Sequence, residues 1–163
     1  MAEIWDAYDK QFNKIENAKL TRGETIPDGM YHLVGEIIVK HKDGSYLLMQ
    51  RDIKKPFGGM WELTAGGSAL QGENPLQCAI RELREETGIV SCELKEIERI
   101  VHDGYHTFFV EYLCITDWDK NSVVLQEGET INYKWVDKKT LLNMGPDVLA
   151  SDRAIKIVKE LDL

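Results

Sequence analysis

The sequence of 163 residues has no apolar run long enough to cross a bilayer, and it has no repeats or low-complexity tracts. Near the N-terminus, Glu3 and Asp6 interrupt any apolar segment, so no secretory signal is evident there. Cysteine is scarce, because Cys78, Cys92 and Cys114 form an odd set without the spacing of metal ligands. These features argue against a membrane-spanning or a disulfide-stapled secreted protein, and we expect a cytoplasmic protein with free thiols.

Positive charge is also in short supply. The 20 Lys and Arg residues stand against 28 Asp and Glu residues, which gives a net charge of −8 and a pI of about 5.0. A surface of this charge repels nucleic acid and anionic membranes, so neither is an expected partner. A protein of this charge that handles a phosphate-rich small molecule needs cations beside its site. The length and the ordinary composition, 43% hydrophobic and 29% charged, predict one soluble α/β domain, as a monomer or a homodimer.

Apolar patterning and turn residues predict a mixed α/β order along the chain. Residues 1–29 are predicted to form a hairpin-like extension that ends in the Pro27-Asp28-Gly29 turn. A glycine loop at residues 66–67 is expected to lead into a helix. The predicted strands are 31–40, 45–51, 61–63, 92–101, 105–115 and 132–136, and the predicted C-terminal helices are 138–143 and 146–161.

The segment from residue 67 to residue 89 concentrates the features that predict function. Asn74 suits the N-cap of a helix, Pro75 suits its first position, and Gly88 suits its C-terminal cap. Between them, apolar residues recur at helical spacing and predict a buried stripe. The members of this predicted stripe are Leu76, Ile80, Leu83 and Thr87.

Three glutamates crowd the flank of this helix outside the predicted stripe. Glu82 and Glu86 are four residues apart and Glu82 and Glu85 are three apart, so each pair shares a face. Such like-charge pairs cost roughly 0.2–0.5 kcal/mol each on an isolated helix. One interpretation is a solvated face that neighbouring arginines relieve. The other is a divalent cation site, and the absence of clustered Cys or His ligands favours Mg²⁺ or Mn²⁺ over zinc there.

The larger pattern favours the cation site. The segment resembles, without a mismatch, the signature of the Nudix hydrolases, G-x5-E-x7-R-E-U-x-E-E-x-G-U, in which U is aliphatic. The residues at its fixed places are Gly67, Glu73, Arg81, Glu82, Leu83, Glu85, Glu86, Gly88 and Ile89. The resemblance implies a Nudix fold, an α/β/α sandwich around a mixed β-sheet. It also implies Mg²⁺-dependent cleavage of a diphosphate linkage, by water attack at phosphorus, in a nucleoside diphosphate derivative or a related organic diphosphate.

The same resemblance implies roles for individual residues. The implied metal ligands are the carboxylates of Glu82, Glu85 and Glu86 and the backbone carbonyl of Gly66. Arg81 is expected to orient Glu82 through a charge-assisted contact. A metal ion held by these groups would polarise a phosphoryl oxygen and hold the attacking water, with Mg²⁺ as the expected ion and Mn²⁺ as a substitute.

Alternatives stay open for the catalytic base and for the substrate contacts. In Nudix hydrolases the base is a helix glutamate or an acid from a later loop, and the loop candidates here are Glu129 and then Glu127. Arg51 and Lys55 are candidates for binding the substrate phosphates, and Trp61 is a candidate for stacking on the group attached to them. The competing interpretation is a solvated loop charge for the ionic residues and a place in the core for the tryptophan.

The region around His32, Arg51 and Trp61 resembles the Nudix branch that includes isopentenyl-diphosphate isomerase. Those isomerases carry a catalytic Cys followed by Gly-His, whereas this sequence has Gly66, Gly67 and Ser68 at those places. A hydrolase is therefore expected, and an isomerase-like enzyme is the first alternative. A module that senses a nucleotide without cleaving it is the second, and the intact glutamate cluster argues against it.

Overall fold

A computed structural model describes residues 1–91 and 93–163, and within these residues the chain forms nine strands and three α-helices. None of the helices in that part of the chain is long and apolar enough to cross a membrane. The strands are β1 (Ile4–Tyr8), β2 (Lys14–Thr21), β3 (His32–His41), β4 (Tyr46–Arg51), β5 (Trp61–Glu62), β6 (Thr64–Ser68), β7 (Lys95–His102), β8 (Thr107–Thr116) and β9 (Thr130–Val136). The helices are α1 (Pro75–Thr87), α2 (Lys138–Leu142) and α3 (Arg153–Glu160), and a 3₁₀ turn spans Asp103–Tyr105.

Strand β3 is the centre of the main sheet. The strand order is β5-β4-β3-β8-β7, with β6 paired to β3 and β9 paired to β4. Strands β3 and β8 run parallel, from His32 opposite Thr107 to His41 opposite Thr116, and the other pairs are antiparallel. The mixed β-sheet that the sequence predicts is therefore confirmed.

Alternation along β3 divides the core into two halves. Leu33 and Ile37 point to one face of the sheet, where they pack in a cluster with Leu83 of α1. Ile38 points to the other face and packs in a cluster with Val158 of α3. One helix therefore covers each face, and the expected α/β/α arrangement is confirmed.

The buried face of α1 differs from the predicted stripe. Cys78 and Ala79 are fully buried, whereas Leu76 is 38% exposed and Ile80 is only half-buried. If Gly35 of β3 carried a side chain, its first carbon would lie only 3.1 Å from the sulfur of Cys78. The helix therefore packs so close to this strand that small residues are needed at the contact. Leu83 and Thr87 are buried as predicted.

The prediction that residues 66–67 form a glycine loop is also wrong. These residues belong to β6, where Gly66 lies opposite Glu36 and Gly67 lies opposite Gly35 of β3. Close pairing to a central strand is possible because a glycine has no side chain to collide with the neighbouring backbone. The segment that leads to α1 is therefore fixed by a sheet on one side.

The predicted start of the last helix is wrong, and the predicted start of one strand falls on a residue that the structure does not describe. The last helix begins at Arg153 rather than at 146, because the backbone before it pairs with Trp61 at two N–O distances of 2.9 Å, through Val148 and Ala150. Strand β7 begins at Lys95, and the predicted start at Cys92 lies outside the described residues.

The N-terminal extension forms an antiparallel β1–β2 pair with a small core that includes Trp5 and Leu20. It is attached to the segment before α1, because the Gly72 N–H donates to the Asp6 carboxylate at 2.8 Å. Trp5 also stacks on the ring of His32 at 4.3 Å between centroids. The extension therefore has a fixed place beside the glutamate helix.

Candidate active site

Strand β6 and helix α1 meet at two glycines. A side chain at Gly67 would lie 2.7 Å from the Glu82 carboxylate, and one at Gly66 would lie 2.3 Å from the carbonyl oxygen of Gly35. The Gly66 N–H donates to the Glu86 carboxylate at 3.1 Å. The two glycines therefore allow two carboxylates of α1 to lie directly against the backbone of β6.

The helix glutamates are less exposed than their place outside the predicted stripe suggests. Glu82 and Glu86 are only 9% and 7% exposed, and Glu85 alone is open to solvent. Burial raises the pKa of Glu86 to about 8, and the neighbouring Glu82 carboxylate adds to the rise while the Gly66 N–H opposes it. Burial also raises the pKa of Glu82, against the opposing effect of Arg81. A bound cation would offset the cost of burying both charges.

Arg81 holds this arrangement together. It donates to both oxygens of Glu73 at 2.6 and 2.9 Å, to Glu82 at 2.7 Å, to Glu85 at 3.2 Å and to the carbonyl of Ser68 at 3.1 Å. A guanidinium has five N–H donors, and these contacts use all of them. The expected contact between Arg81 and Glu82 is therefore present, and Arg81 has no donor left for a substrate.

The glutamates line a cavity of about 260 Å³. Its wall comes from four parts of the chain: the extension, the β4–β5 loop, the β6–α1 unit, and the loop before β9. The lining residues are Glu3, Arg22, Lys55, Gly66, Gly67, Ser68, Leu70, Arg81, Glu82, Glu85, Glu86, Gln126 and Glu129. Sequence reasoning missed Glu3, Arg22 and Gln126, because no local pattern marks residues that only the docking of the extension and loop brings to the cavity.

The two loop acids differ in position. Glu129 lines the cavity and forms an ion pair with Lys55, which comes from the β4–β5 loop. Glu127 is exposed and does not line the cavity. Of the two predicted candidates for the base, the structure therefore brings only Glu129 to the glutamates of α1.

Arg51 and Trp61 lie elsewhere. The Arg51 guanidinium donates to the carbonyl of Pro56 at 2.7 Å and to Glu62, and its side chain is 16% exposed. Trp61 packs against the core cluster on the α3 side of the sheet, with the Lys134 ammonium 4.2 Å from its ring centroid. Neither residue lines the acidic cavity, so the geometry gives no support for their expected contacts with substrate.

The predicted metal ligands offer only oxygen atoms, which suit a hard cation such as Mg²⁺. Within residues 1–91 and 93–163, no three acidic, histidine or cysteine side chains converge as a ready-made metal cage. One nitrogen of Arg81 donates to both Glu82 and Glu85, so these two carboxylates already share a cationic partner. The donor set fits an ion that keeps several waters and takes a few carboxylates, after the exposed Glu85 side chain rotates.

A second group of buried charges lies where β3, β8 and α3 meet. Glu111 is fully buried and stands directly opposite Glu36 in the parallel pair. Arg153 donates to Glu111 at 2.9 Å and also to Glu36. The second oxygen of Glu111 has no hydrogen-bond partner among the described residues. Burial, with Glu36 adding to the effect, raises the pKa of Glu111 to about 8.

Comparisons with known proteins give matches to this chain. A sequence model of the NUDIX domain matches residues 30–156. An uncharacterized Nudix hydrolase of Listeria innocua is 32% identical over 146 residues, which cover 85% of this chain and 82% of that protein. An 8-oxo-dGTP diphosphatase of Proteus vulgaris is 29% identical over 92 residues, which cover 56% of this chain and 80% of that protein.

One further relative and one solved structure extend the comparison. An isopentenyl-diphosphate Delta-isomerase of Photobacterium profundum is 27% identical over 126 residues, which cover 70% of this chain and 69% of that protein. Among solved structures, DR0079 from Deinococcus radiodurans matches with a TM-score of 0.76 at 16% identity, over 96% of this chain and 98% of that one. The last likeness shows the fold.

Proposed function

This chain belongs to the Nudix family, and on that basis we propose that it is a Mg²⁺-dependent hydrolase that cleaves a diphosphate linkage by attack of water at phosphorus. The proposed substrate is a nucleoside diphosphate derivative or a related organic diphosphate. The observation that carries the proposal is the buried pair Glu82 and Glu86, held against the Gly66–Gly67 backbone in a cavity lined mainly by charged groups. A pair of buried carboxylates is costly unless a cation neutralises it.

In this proposal, different side chains bind the metal ion, position its ligands and accept the proton. Glu82, Glu85 and Glu86, with the Gly66 carbonyl, hold the cation, which would polarise a phosphoryl oxygen and lower the pKa of the attacking water. Arg81 positions Glu82 and Glu85, because its five donors fix the carboxylate side of the cavity. Glu129 is the proposed base for the proton that leaves the water, since it is the loop acid that lines the cavity.

The substrate class rests on size, charge and relatives. A cavity of about 260 Å³ and a net charge of −8 suit a small metal-bound diphosphate rather than a nucleic acid polymer. The relative named as an 8-oxo-dGTP diphosphatase supports a nucleotide derivative, over the part of the chain that it matches. Manganese is the expected substitute for magnesium, because it accepts the same hard oxygen ligands.

Isomerisation of an alkenyl diphosphate is the second candidate, and the isomerase relative favours it. The residues that would perform it are poorly suited. Cys78 is the thiol beside β6, and its sulfur contacts the Gly67 carbonyl at 3.4 Å, but burial raises its pKa to about 12. His32 is stacked on Trp5 and does not line the cavity. Neither this thiol nor His32 is therefore placed to transfer a proton at a substrate carbon.

A panel assay tests the proposal. Purified protein would be incubated with Mg²⁺ and a set of nucleoside diphosphate derivatives, nucleoside triphosphates and isopentenyl diphosphate, and the products would be separated by chromatography. We expect phosphate-containing products from at least one nucleotide, loss of turnover with a chelator, and recovery on adding Mg²⁺. Formation of dimethylallyl diphosphate would support the isomerase instead, and binding without turnover would support a sensor.

A further inference from the structure

Three cationic side chains line the acidic cavity, and they differ in how much of their hydrogen-bonding capacity is used. Arg81 has all five donors engaged, as described above. Lys55 is held in an ion pair with Glu129. Arg22 has, among the described residues, a single side-chain partner, Glu3, at 3.4 Å, and its side chain is 66% exposed. Arg22 is therefore the cation of this wall with the most donors left to offer an anion.

The backbone under Arg22 is fixed although its head group is exposed. Arg22 directly follows β2, and its N–H donates to the Glu3 carbonyl at 2.9 Å. Glu3 in turn accepts from the indole N–H of Trp5 at 2.5 Å, and Trp5 stacks on His32. These contacts fix the backbone from which the Arg22 side chain reaches the cavity wall. A substrate would meet this side chain without any movement of the extension.

Building on the proposed hydrolase function, we propose that Arg22 is a substrate-binding residue that donates to phosphate oxygens of the diphosphate. Glu3 is the carboxylate that Arg22 leaves when the substrate arrives. The exchange is favourable because an exposed ion pair at 3.4 Å is weak, whereas a guanidinium can make two parallel, charge-assisted bonds to a phosphate. The new contact also supplies positive charge to a cavity that five glutamates line, Glu3, Glu82, Glu85, Glu86 and Glu129.

This assignment gives the extension a role in the active site. The NUDIX sequence model matches residues 30–156, so Arg22 and Glu3 both lie outside the matched region. The extension is therefore not only a cover for the core. It supplies one wall of the substrate site and a contact that the matched region alone does not contain.

Four variants test the proposal in the full-length protein. Arg22→Gln is expected to raise KM by about 10- to 100-fold, the value of a hydrogen bond to a charged group, with kcat changed less than about threefold. Arg22→Lys is expected to recover part of the loss, because it keeps the charge without the fork. Lys19→Gln removes the same charge from an exposed position of the preceding strand β2, outside the cavity, and should leave KM unchanged. Glu3→Gln should lower KM, because it removes the competing carboxylate.

The sign of the Glu3 effect separates binding from a structural role. If the pair only stabilised the extension, Arg22→Gln and Glu3→Gln would change KM in the same direction, and that result would overturn the proposal. An Arg22→Gln KM equal to that of Lys19→Gln would overturn it as well. Thermal melting of each variant checks that the fold is retained.

A binding assay keeps this inference separate from the proposed function. Calorimetric titration with Mg²⁺ and α,β-methylene-ADP, which carries a diphosphate mimic that water does not cleave, measures the contact without turnover. Weaker binding by Arg22→Gln than by Lys19→Gln supports the Arg22 contact even if the panel assay finds no hydrolysis. Equal binding by the two variants, or no binding by the wild type, rejects the contact even if hydrolysis is found.

Discussion

Replacing Glu86 by glutamine is the sharpest perturbation of the candidate metal site. The side chain is 7% exposed and accepts the Gly66 N–H at 3.1 Å. An amide oxygen can accept the same bond in the same volume, so the change removes charge with little change in packing. Because burial raises the pKa of Glu86 to about 8, the carboxyl group without a cation is mostly protonated at pH 7. Glutamine imitates that neutral form, and we expect an unchanged or slightly higher melting temperature.

The expected loss of activity is large. Metal-ion stabilisation of charge in the transition state is worth several kcal/mol, and losing about 3–5 kcal/mol by removal of one anionic ligand is a reasonable scale. At 1.36 kcal/mol per tenfold change in rate, kcat/KM should fall about 10²- to 10⁴-fold. The wild type should also bind Mg²⁺ more tightly as pH rises from 6 to 8.5, since the cation must displace the proton from Glu86. Glu86→Gln should lose most of this pH dependence.

The assay is turnover of the best substrate from the panel, measured over a range of Mg²⁺ concentrations and pH values. Glu127→Gln is the matched control, because it makes the same chemical change at an exposed acid outside the cavity. Activity of Glu86→Gln close to that of the wild type at saturating Mg²⁺ would refute the assignment of Glu86 as a metal ligand. A melting temperature lowered by more than a few degrees would refute the argument about its protonation.

Further predictions address the base, the glycines and the second charge cluster. Glu129→Gln should lower kcat more than Glu127→Gln does, and the reverse order would show that Glu129 is not the base. Gly67→Ala should lower kcat/KM by more than about tenfold, because the new methyl group would displace the Glu82 carboxylate that Arg81 holds in place. Gly66→Ala should instead lower the melting temperature, because its methyl group meets a backbone carbonyl; equal melting temperatures would contradict this. Burial raises the pKa of Glu111 to about 8, so its stabilising contribution is complete below about pH 4.5 and is lost as pH rises through 8. Glu111→Gln should flatten that loss in melting curves from pH 5 to 9, and an unchanged pH profile would contradict the cause.

The helix of the site could be predicted from sequence because its signals are local. Asn74 caps it with a reciprocal contact to Gln77, and Gly88 ends it in the left-handed conformation. Which residues of this helix are buried depends on contacts with distant parts of the chain. Apolar spacing favoured Leu76 and Ile80, but the close approach of Gly35 selects small side chains, and the cavity selects buried glutamates.

The assembly of the rest of the cavity depends on contacts between distant parts of the chain. Lys55 and Glu129 are 74 residues apart and meet only because their loops come together beside α1. The sequence places Arg51 at a strand end near that loop and therefore predicts a contact with substrate. In the structure, its guanidinium instead forms an ion pair with Glu62, across the β4–β5 pair. Glu3 and Arg22 carry no sequence signal, since their role depends on where the extension docks.

Hydrolysis in ¹⁸O-labelled water tests the central claim most directly. The wild-type protein would be incubated with Mg²⁺ and its best organic diphosphate, and the products would be analysed by mass spectrometry. We expect one ¹⁸O atom in a phosphate-containing product, because water attacks phosphorus, and no labelled product from Glu86→Gln on the same time scale. Label on a carbon-bound oxygen of the organic product, instead of on a phosphate group, would contradict attack at phosphorus. Labelled phosphate formed equally well without a divalent cation would contradict the role of the metal.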